Sequence, residues 1–299
     1  MVHKLRYWCI CQTLENTYTK LNNYNNLNGG SSRVESQSNP QWQYQYRSDP
    51  GRVRELNEDA CLCNPELGLW VVADGMGGHS CGEVASALAI ESIERSIASG
   101  IGLADAVQQA HLDILAAADN GNGADGMGTT VVALQDFGEG YRIAWVGDSR
   151  AYVWDGATGR LSRVTQDHSL VERLLSSGLI SAEEAKSHPQ RHLITQCLGS
   201  KELERVKVDE VTLEWQPEQV MLLCSDGLTE ELADNDMLTI FSAQTDLEKS
   251  ADRLLRMALN KGGQDNISII LVKSPKDRPS GLAGAFYGLK VWFRKILKK

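Results

Sequence analysis

The sequence predicts an α+β fold of layered sheets and helices, and three observations carry that expectation. Short apolar, partly β-branched runs bounded by Gly and Asp recur at 69–73, 220–224 and 267–272. Their length and flanks are those of buried strands. Apolar residues at steps of three and four mark three amphipathic helices: Val84, Leu88, Ile93 and Ile97; Val107, Ala110, Ile114, Leu115 and Ala118; and Leu247, Ala251, Leu254, Leu255 and Ala258. Strands and helices also come in separate runs, which is the pattern of an α+β domain.

Taken in order, residues 12–40 are rich in Asn, Ser, Gln and Gly and poor in aliphatics. They read as a disordered or weakly ordered leader, so 1–40 is set apart from a domain spanning 41–275. Trp42 to Arg47 alternates aromatic and polar residues, predicting a first strand with one buried face. The first helix follows the loop at 74–78, and His111, on the stripe of the second, reads as packing and not as a ligand. Arg142 to Trp145 and Ala151 to Trp154 alternate around Gly147 and Asp148, predicting a hairpin. Between 170 and 187 the sequence predicts two short helices around Gly178, the second opened by Ser181 with Glu184 completing a capping box.

At 299 residues and 42% hydrophobic, the chain can bury one substantial core, giving a single domain of about 230 residues with two tails. The formal charge is −9, but 276–299 holds seven Lys or Arg against one Asp, a balance of +6 that leaves −15 for the remainder. An acidic body argues against nucleic acid as a partner. The seven cysteines form no CxxC pair and lack a matching His set, so zinc is not expected and reduced thiols are. No apolar stretch of signal-peptide length opens the chain, and a cytoplasmic monomer is the expectation.

Four acidic motifs carry the chemistry: RELNED at 54–59, DGMGG at 74–78, SDG at 225–227 and GGQDN at 262–266. Three of them set an Asp at one end of a predicted buried strand, which delivers carboxylates to a sheet edge. Clustered carboxylates cost free energy unless cations neutralise them. Hard oxygen ligands suit Mg²⁺ or Mn²⁺. Gly75 leaves its carbonyl open as a further ligand, having no side chain to block the approach. Any single Asp-Gly could be an ordinary turn; four in this order are harder to dismiss.

With DGMGTT at 125–130, VGDSRAY at 146–152, TQDHS at 165–169 and HPQRHLITQCLG at 188–199, these motifs resemble the metal-dependent serine/threonine protein phosphatases of the protein phosphatase 2C family, in bacterial form, from about Tyr44 to Val272. The resemblance implies a four-layer αββα sandwich with two central antiparallel sheets and a dinuclear metal site at the sheet edge. It implies that Asp74 bridges two ions, that Gly75 lends its carbonyl to one, and that Asp226 and Asp265 hold the other. Glu58 and Asp59 would act through metal-bound water, and Asp125 with Asp226 would hold a third, weaker ion. Arg54 would grip the substrate phosphate, Asn266 would orient Asp265 and its surroundings, and 170–187 would be a flap beside the site. The activity implied is hydrolysis of phosphoserine and phosphothreonine in proteins by a metal-bridging water, opposing serine/threonine kinases.

One departure bears on mechanism. Eukaryotic relatives carry a His directly after the DG pair, where this chain has Met76. His79, three residues on, reads as a loop residue, and a metal-bound water is the better candidate for the acid. Two rivals share the fold: a catalytically weak docking module, and a phosphatase of small metabolites. The retained carboxylates argue against the first. In the tail 281–299, apolar residues at helical spacing alternate with Lys290, Arg294, Lys295, Lys298 and Lys299. A basic amphipathic helix at the inner membrane surface and a helix packed on the body or a partner are both open readings, as is a disordered basic tail.

Overall fold

The structure is a computed structural model that describes residues 42–77, 81–120, 126–138, 140–244 and 246–276. The leader 1–40, His79, Asp125 and the tail 281–299 lie outside the described residues. Eleven strands and seven helices appear among those described. Strands β1 (Tyr44–Asp49), β2 (Asp59–Asn64) and β3 (Leu69–Met76) precede helices α1 (Gly82–Ala98) and α2 (Leu103–Asp119). Strands β4 (Gly128–Thr129), β5 (Val131–Asp136), β6 (Tyr141–Val146), β7 (Arg150–Asp155) and β8 (Arg160–Arg163) follow, then the short helices α3 (Leu170–Ser176) and α4 (Ala182–Ser187). The chain continues through β9 (Asp209–Leu213), β10 (Gln219–Cys224), α5 (Asp226–Glu231), α6 (Asp234–Ala243), α7 (Leu247–Lys261) and β11 (Ile267–Lys273).

The strands form two antiparallel sheets, one ordered β1-β11-β10-β7-β8 and the other β2-β3-β5-β6-β9, with β4 pairing β3. Side-chain alternation explains why two sheets stack and why each also needs a helical cover. In β3, Leu69, Val71 and Ala73 join Ala89, Ile93, Val107 and Ile114 of α1 and α2 in one core. Trp70 and Val72 point the other way and are equally buried. In β11, Ile267, Ile269 and Leu271 pack with Leu228, Phe241 and Leu254 from α5, α6 and α7, while Ile270 and Val272 face the opposite side. Strands buried on both faces read as unbroken apolar runs, as these do. Three apolar layers therefore separate four layers of structure, the αββα sandwich.

The middle layer is sealed by aromatics from both sheets. Trp70 meets the Trp42 ring edge-on at 4.7 Å and Tyr44 at 6.2 Å, and Trp215 lies 4.3 Å from Tyr141. The predicted single buried face of the first strand is corrected here. Tyr44 to Arg47 are all half-buried, because β1 is an edge strand with neighbours on both faces.

The predicted hairpin is also corrected. β6 and β7 belong to different sheets: β6 pairs with β5 and β9, and β7 with β10 and β8. The segment 147–149 is a crossing between layers. Gly147, at φ +104°, donates its N–H to His168 Nδ1, and its position against the Thr130 side chain leaves no room for a Cβ. The two short helices do form as expected, with Ser181 accepting from the Glu184 backbone and Glu184 Oε2 accepting from the Ser181 backbone.

Candidate active site

The acidic motifs converge at one edge of the sandwich, and both sheets contribute. Asp59 and Asp74 are direct cross-strand partners on β2 and β3. Ser225 and Asp226 follow β10, and Asp265 and Asn266 precede β11, in the other sheet. Ser225 Oγ joins the sheets by donating to Asp59 Oδ2 at 2.8 Å, and itself accepts the Ser268 N–H at 2.9 Å. The Asp74 backbone is fixed through its carbonyl, which accepts from Thr129 Oγ1 at 2.8 Å and from the Thr130 N–H at 2.9 Å. These bonds give the DGMGTT motif its structural purpose.

Two carboxylates that sequence reasoning did not place are part of the cluster. Asp148, in the crossing segment, and Glu230, one helical turn after Asp226 on α5, both raise the proton affinity of Asp226. Asp148 stands inside the VGDSRAY motif, where the hairpin reading makes it a turn residue; Glu230 carries no motif. Burial pushes Asp59 and Asp148 up to about 6. Burial and the neighbouring carboxylates Asp59, Asp226 and Asp148 push Asp74 well above the usual carboxylate range. Burial, then Asp148, Glu230, Asp265 and Asp59, does the same to Asp226. All four are half-buried, and the surrounding protein strips much of their hydration. Asp59 Oδ1 is buried without a hydrogen-bond partner.

An orphaned carboxylate oxygen among buried like charges is the condition that a divalent cation relieves. Among the described residues no three His, Cys, Asp or Glu side chains close a complete cage around one ion. The donor set is oxygen only, and the residues present fit the two hard cations that the motifs imply. Gly75 is required here for a reason beyond its carbonyl: a Cβ would lie 2.2 Å from the Gly82 carbonyl oxygen and 2.5 Å from that of Glu58. Glu58 in turn packs its carboxyl against Gly82, where burial raises its proton affinity.

Arg54 sits at the rim, with its side chain 54% exposed and Nη2 2.7 Å from Asp265 Oδ2. One of its five donors is thereby engaged. Its loop, 50–58, is held by Asn266, whose Nδ2 donates to the carbonyls of Pro50 at 3.0 Å and Leu56 at 2.9 Å and whose Oδ1 accepts the Glu58 N–H at 2.8 Å. The Asn266 N–H donates to Asp265 Oδ1 at 2.8 Å. Its side chain therefore orients the loop bearing Arg54 and Glu58, which belongs to the surroundings of Asp265. Arg52 adds two more ties, to the carbonyls of Gly263 and Leu259.

The remaining motifs brace this edge. Arg150 grips Asp167 through Nε at 2.9 Å and Nη2 at 2.6 Å, and Arg163 bridges to Glu172 of α3 at 2.8 Å. His192, on the segment after α4, places Nδ1 2.5 Å from Glu230 Oε1 and so ties that segment to the helix bearing Asp226. His111 is fully buried, contacts the Leu203 carbonyl and accepts the Gly199 N–H, a packing role as predicted.

A sandwich with carboxylates from both sheets meeting an arginine at its edge defines a class of metal-assisted phosphate-ester hydrolases, and comparison with known proteins gives the family. The model of the protein phosphatase 2C family matches residues 52–271, and the chain belongs to that family. The serine/threonine phosphatase Stp of Listeria welshimeri is 36% identical over 242 residues, covering 77% of this chain and 94% of that protein. The crystal structure of the Mycobacterium tuberculosis serine/threonine phosphatase PstP is 35% identical with a TM-score of 0.71, covering 78% of this chain and 98% of that one. The catalytic domain of a serine/threonine phosphatase PstP, 33% identical with a TM-score of 0.68 over 78% of this chain and 97% of its own, was crystallised with two manganese ions.

Proposed function

We propose that this protein removes phosphate from phosphoserine and phosphothreonine in proteins, using bound Mn²⁺ or Mg²⁺, and so opposes serine/threonine kinases. The observation that carries the reading is the convergence of Asp59, Asp74 and Asp226, with raised proton affinity and an orphaned oxygen, beneath an exposed Arg54. When bound, the cations supply positive charge opposite the phosphate oxygens and lower the pKa of the attacking water. Asp74 would bridge two ions, Gly75 would offer its carbonyl to one, and Asp226 and Asp265 would hold the other. Glu58 and Asp59 would act through bound water. Asp125, outside the described residues, would share a third ion with Asp226. The relative crystallised with two manganese ions supports this assignment.

Arg54 presents its remaining donors outward, where a planar fork matches phosphate oxygens. Asn266 and Arg52 hold its loop so that the guanidinium arrives preorganised. The direct test is release of inorganic phosphate from phosphoserine and phosphothreonine peptides in manganese and in excess chelator; full activity in chelator refutes the proposal. Arg54→Ala should raise KM and lower kcat/KM with metal affinity by calorimetry nearly unchanged. The reverse pattern would remove Arg54 from the substrate.

No helix among the described residues is long and apolar enough to cross a membrane. For the tail 281–299 we favour peripheral attachment of a monomer to anionic membrane, because five cations share 290–299 with Val291, Trp292, Phe293, Ile296 and Leu297. Salt-sensitive sedimentation with anionic vesicles should require residues 281–299. Equal sedimentation of full-length and truncated protein would dismiss it and leave the catalytic reading intact.

A further inference from the structure

Seven large apolar side chains are exposed among the described residues, and four of them stand on the two segments that border the carboxylate cluster. Leu179 and Leu193 belong to the segment of α3, α4 and the stretch tied to Glu230 by His192. Val53 and Leu56, 59% and 50% exposed, flank Arg54 on the loop 50–58. A flexible loop could fold such side chains away. This loop cannot, because Asn266 holds its backbone at Pro50, Leu56 and Glu58, Arg52 bonds to Gly263 and Leu259, and Asn57 donates to Ser48 Oγ at 2.9 Å. The protein thus keeps two aliphatic side chains in water on either side of its phosphate-gripping arginine. Paired, rigidly presented apolar groups beside a charged anchor are the composition of a recognition surface.

We propose that Val53 and Leu56 form a specificity rim that receives a large aliphatic or aromatic side chain next to the phosphorylated residue of a protein substrate. The inference rests on the phosphatase reading and deepens it. With Arg54 holding the phosphate, a neighbouring residue of an extended peptide, about 3.3 Å further per residue, comes within reach of the rim. Acidic neighbours are disfavoured by Asp265, Glu58 and Asp226, which act on the same arginine. A small phosphate ester has nothing to place on the rim and gains nothing from it.

The test compares two phosphopeptides that differ only in Leu or Ser on either side of the phosphoserine, with p-nitrophenyl phosphate as the small substrate, in manganese. Wild type should favour the Leu peptide by about tenfold in kcat/KM, mainly through KM. The double variant Val53→Ser/Leu56→Ser should bring that ratio near one while kcat/KM for p-nitrophenyl phosphate stays within about twofold. Both side chains are exposed and the Leu56 carbonyl keeps its bond from Asn266, so the variant folds; a circular dichroism melt verifies it. Equal use of both peptides by wild type, or an unchanged ratio in the variant, overturns the rim. Loss of p-nitrophenyl phosphate turnover along with the ratio also overturns it, since the side chains would then support the loop instead of reading the peptide. If p-nitrophenyl phosphate is hydrolysed and neither peptide is, the protein-substrate reading falls and the rim with it.

Discussion

Asp59→Asn should stabilise the metal-free protein at neutral pH while impairing the metal-bound one. Asp59 is lifted from 3.8 to about 6, first by burial. A raised carboxylate pKa means that the folded state binds the proton more tightly than the unfolded chain. Stability contributed by this group is therefore present below about pH 4, declines as pH rises from about 4 to about 6, and stays lost above that. The full loss corresponds to about 3 kcal/mol. Asn has nearly the same shape, can still accept from Ser225 Oγ, and carries no charge to desolvate. In chelator at pH 7.5 the variant should melt roughly 6–12 °C above wild type, the shift expected of about 3 kcal/mol in a domain of this size. At pH 4 the two should melt together. Adding Mn²⁺ should reverse the order, since the cation neutralises the charge that only wild type holds. Calorimetric melts at the two pH values, with and without metal, check all three statements. If metal-free Asp59→Asn melts no higher than wild type at pH 7.5, the carboxylate cluster is not the electrostatic load inferred here.

Three further outcomes follow from the same geometry. Asp74→Asn and Asp226→Asn should each lower turnover by at least about a hundredfold, because both remove charge from the carboxylate cluster proposed to hold the cations; steady-state kinetics at saturating manganese decide it, and a loss below about tenfold at Asp74 contradicts its proposed bridging place. Asn266→Ala leaves two carbonyls and the Glu58 N–H without their partner, costing about 3 kcal/mol or more; hydrogen exchange at Glu58 should accelerate and KM should rise. Gly75→Ala forces a methyl between the backbones of Glu58 and Gly82; a lowered melting temperature with manganese affinity weakened about tenfold or more is expected, measured by calorimetry on the folded fraction.

Local pattern made much of this molecule legible. The runs ending at Ala73, Cys224 and Val272 are strands because unbroken apolar sequence buries both faces, and the stripes of α1, α2 and α7 follow their 3.6-residue period. What the period does not record is which sheet a strand joins. Arg142 to Trp145 and Ala151 to Trp154 flank Gly147 and Asp148 as a hairpin would, yet their partners lie in β5 and β9 on one side and β10 and β8 on the other. That misassignment also hid Asp148, which as a turn residue would face water and as a crossing residue joins the carboxylates. Glu230 was invisible for another reason: its place depends only on the helical turn that follows Asp226. Asn266 reads as supporting from its motif, but its side-chain partners lie more than 200 residues away in sequence, and only the fold brings them together.

Those separations bear on how the protein is made. Glu58 and Asn266 are 208 positions apart, Arg54 and Asp265 are 211, and Asp59 and Ser225 are 166. During vectorial synthesis the first half of the site emerges from the ribosome long before the second exists. Strand β1, the first of the described strands, has no sheet neighbour among them until β11, the last, arrives beside it. A nascent or prematurely terminated chain lacking β11 therefore has neither a closed five-stranded sheet nor the Asp265 side of the carboxylate cluster. Its isolated early strands expose apolar faces while they wait, the circumstance in which chaperone capture or aggregation competes with folding.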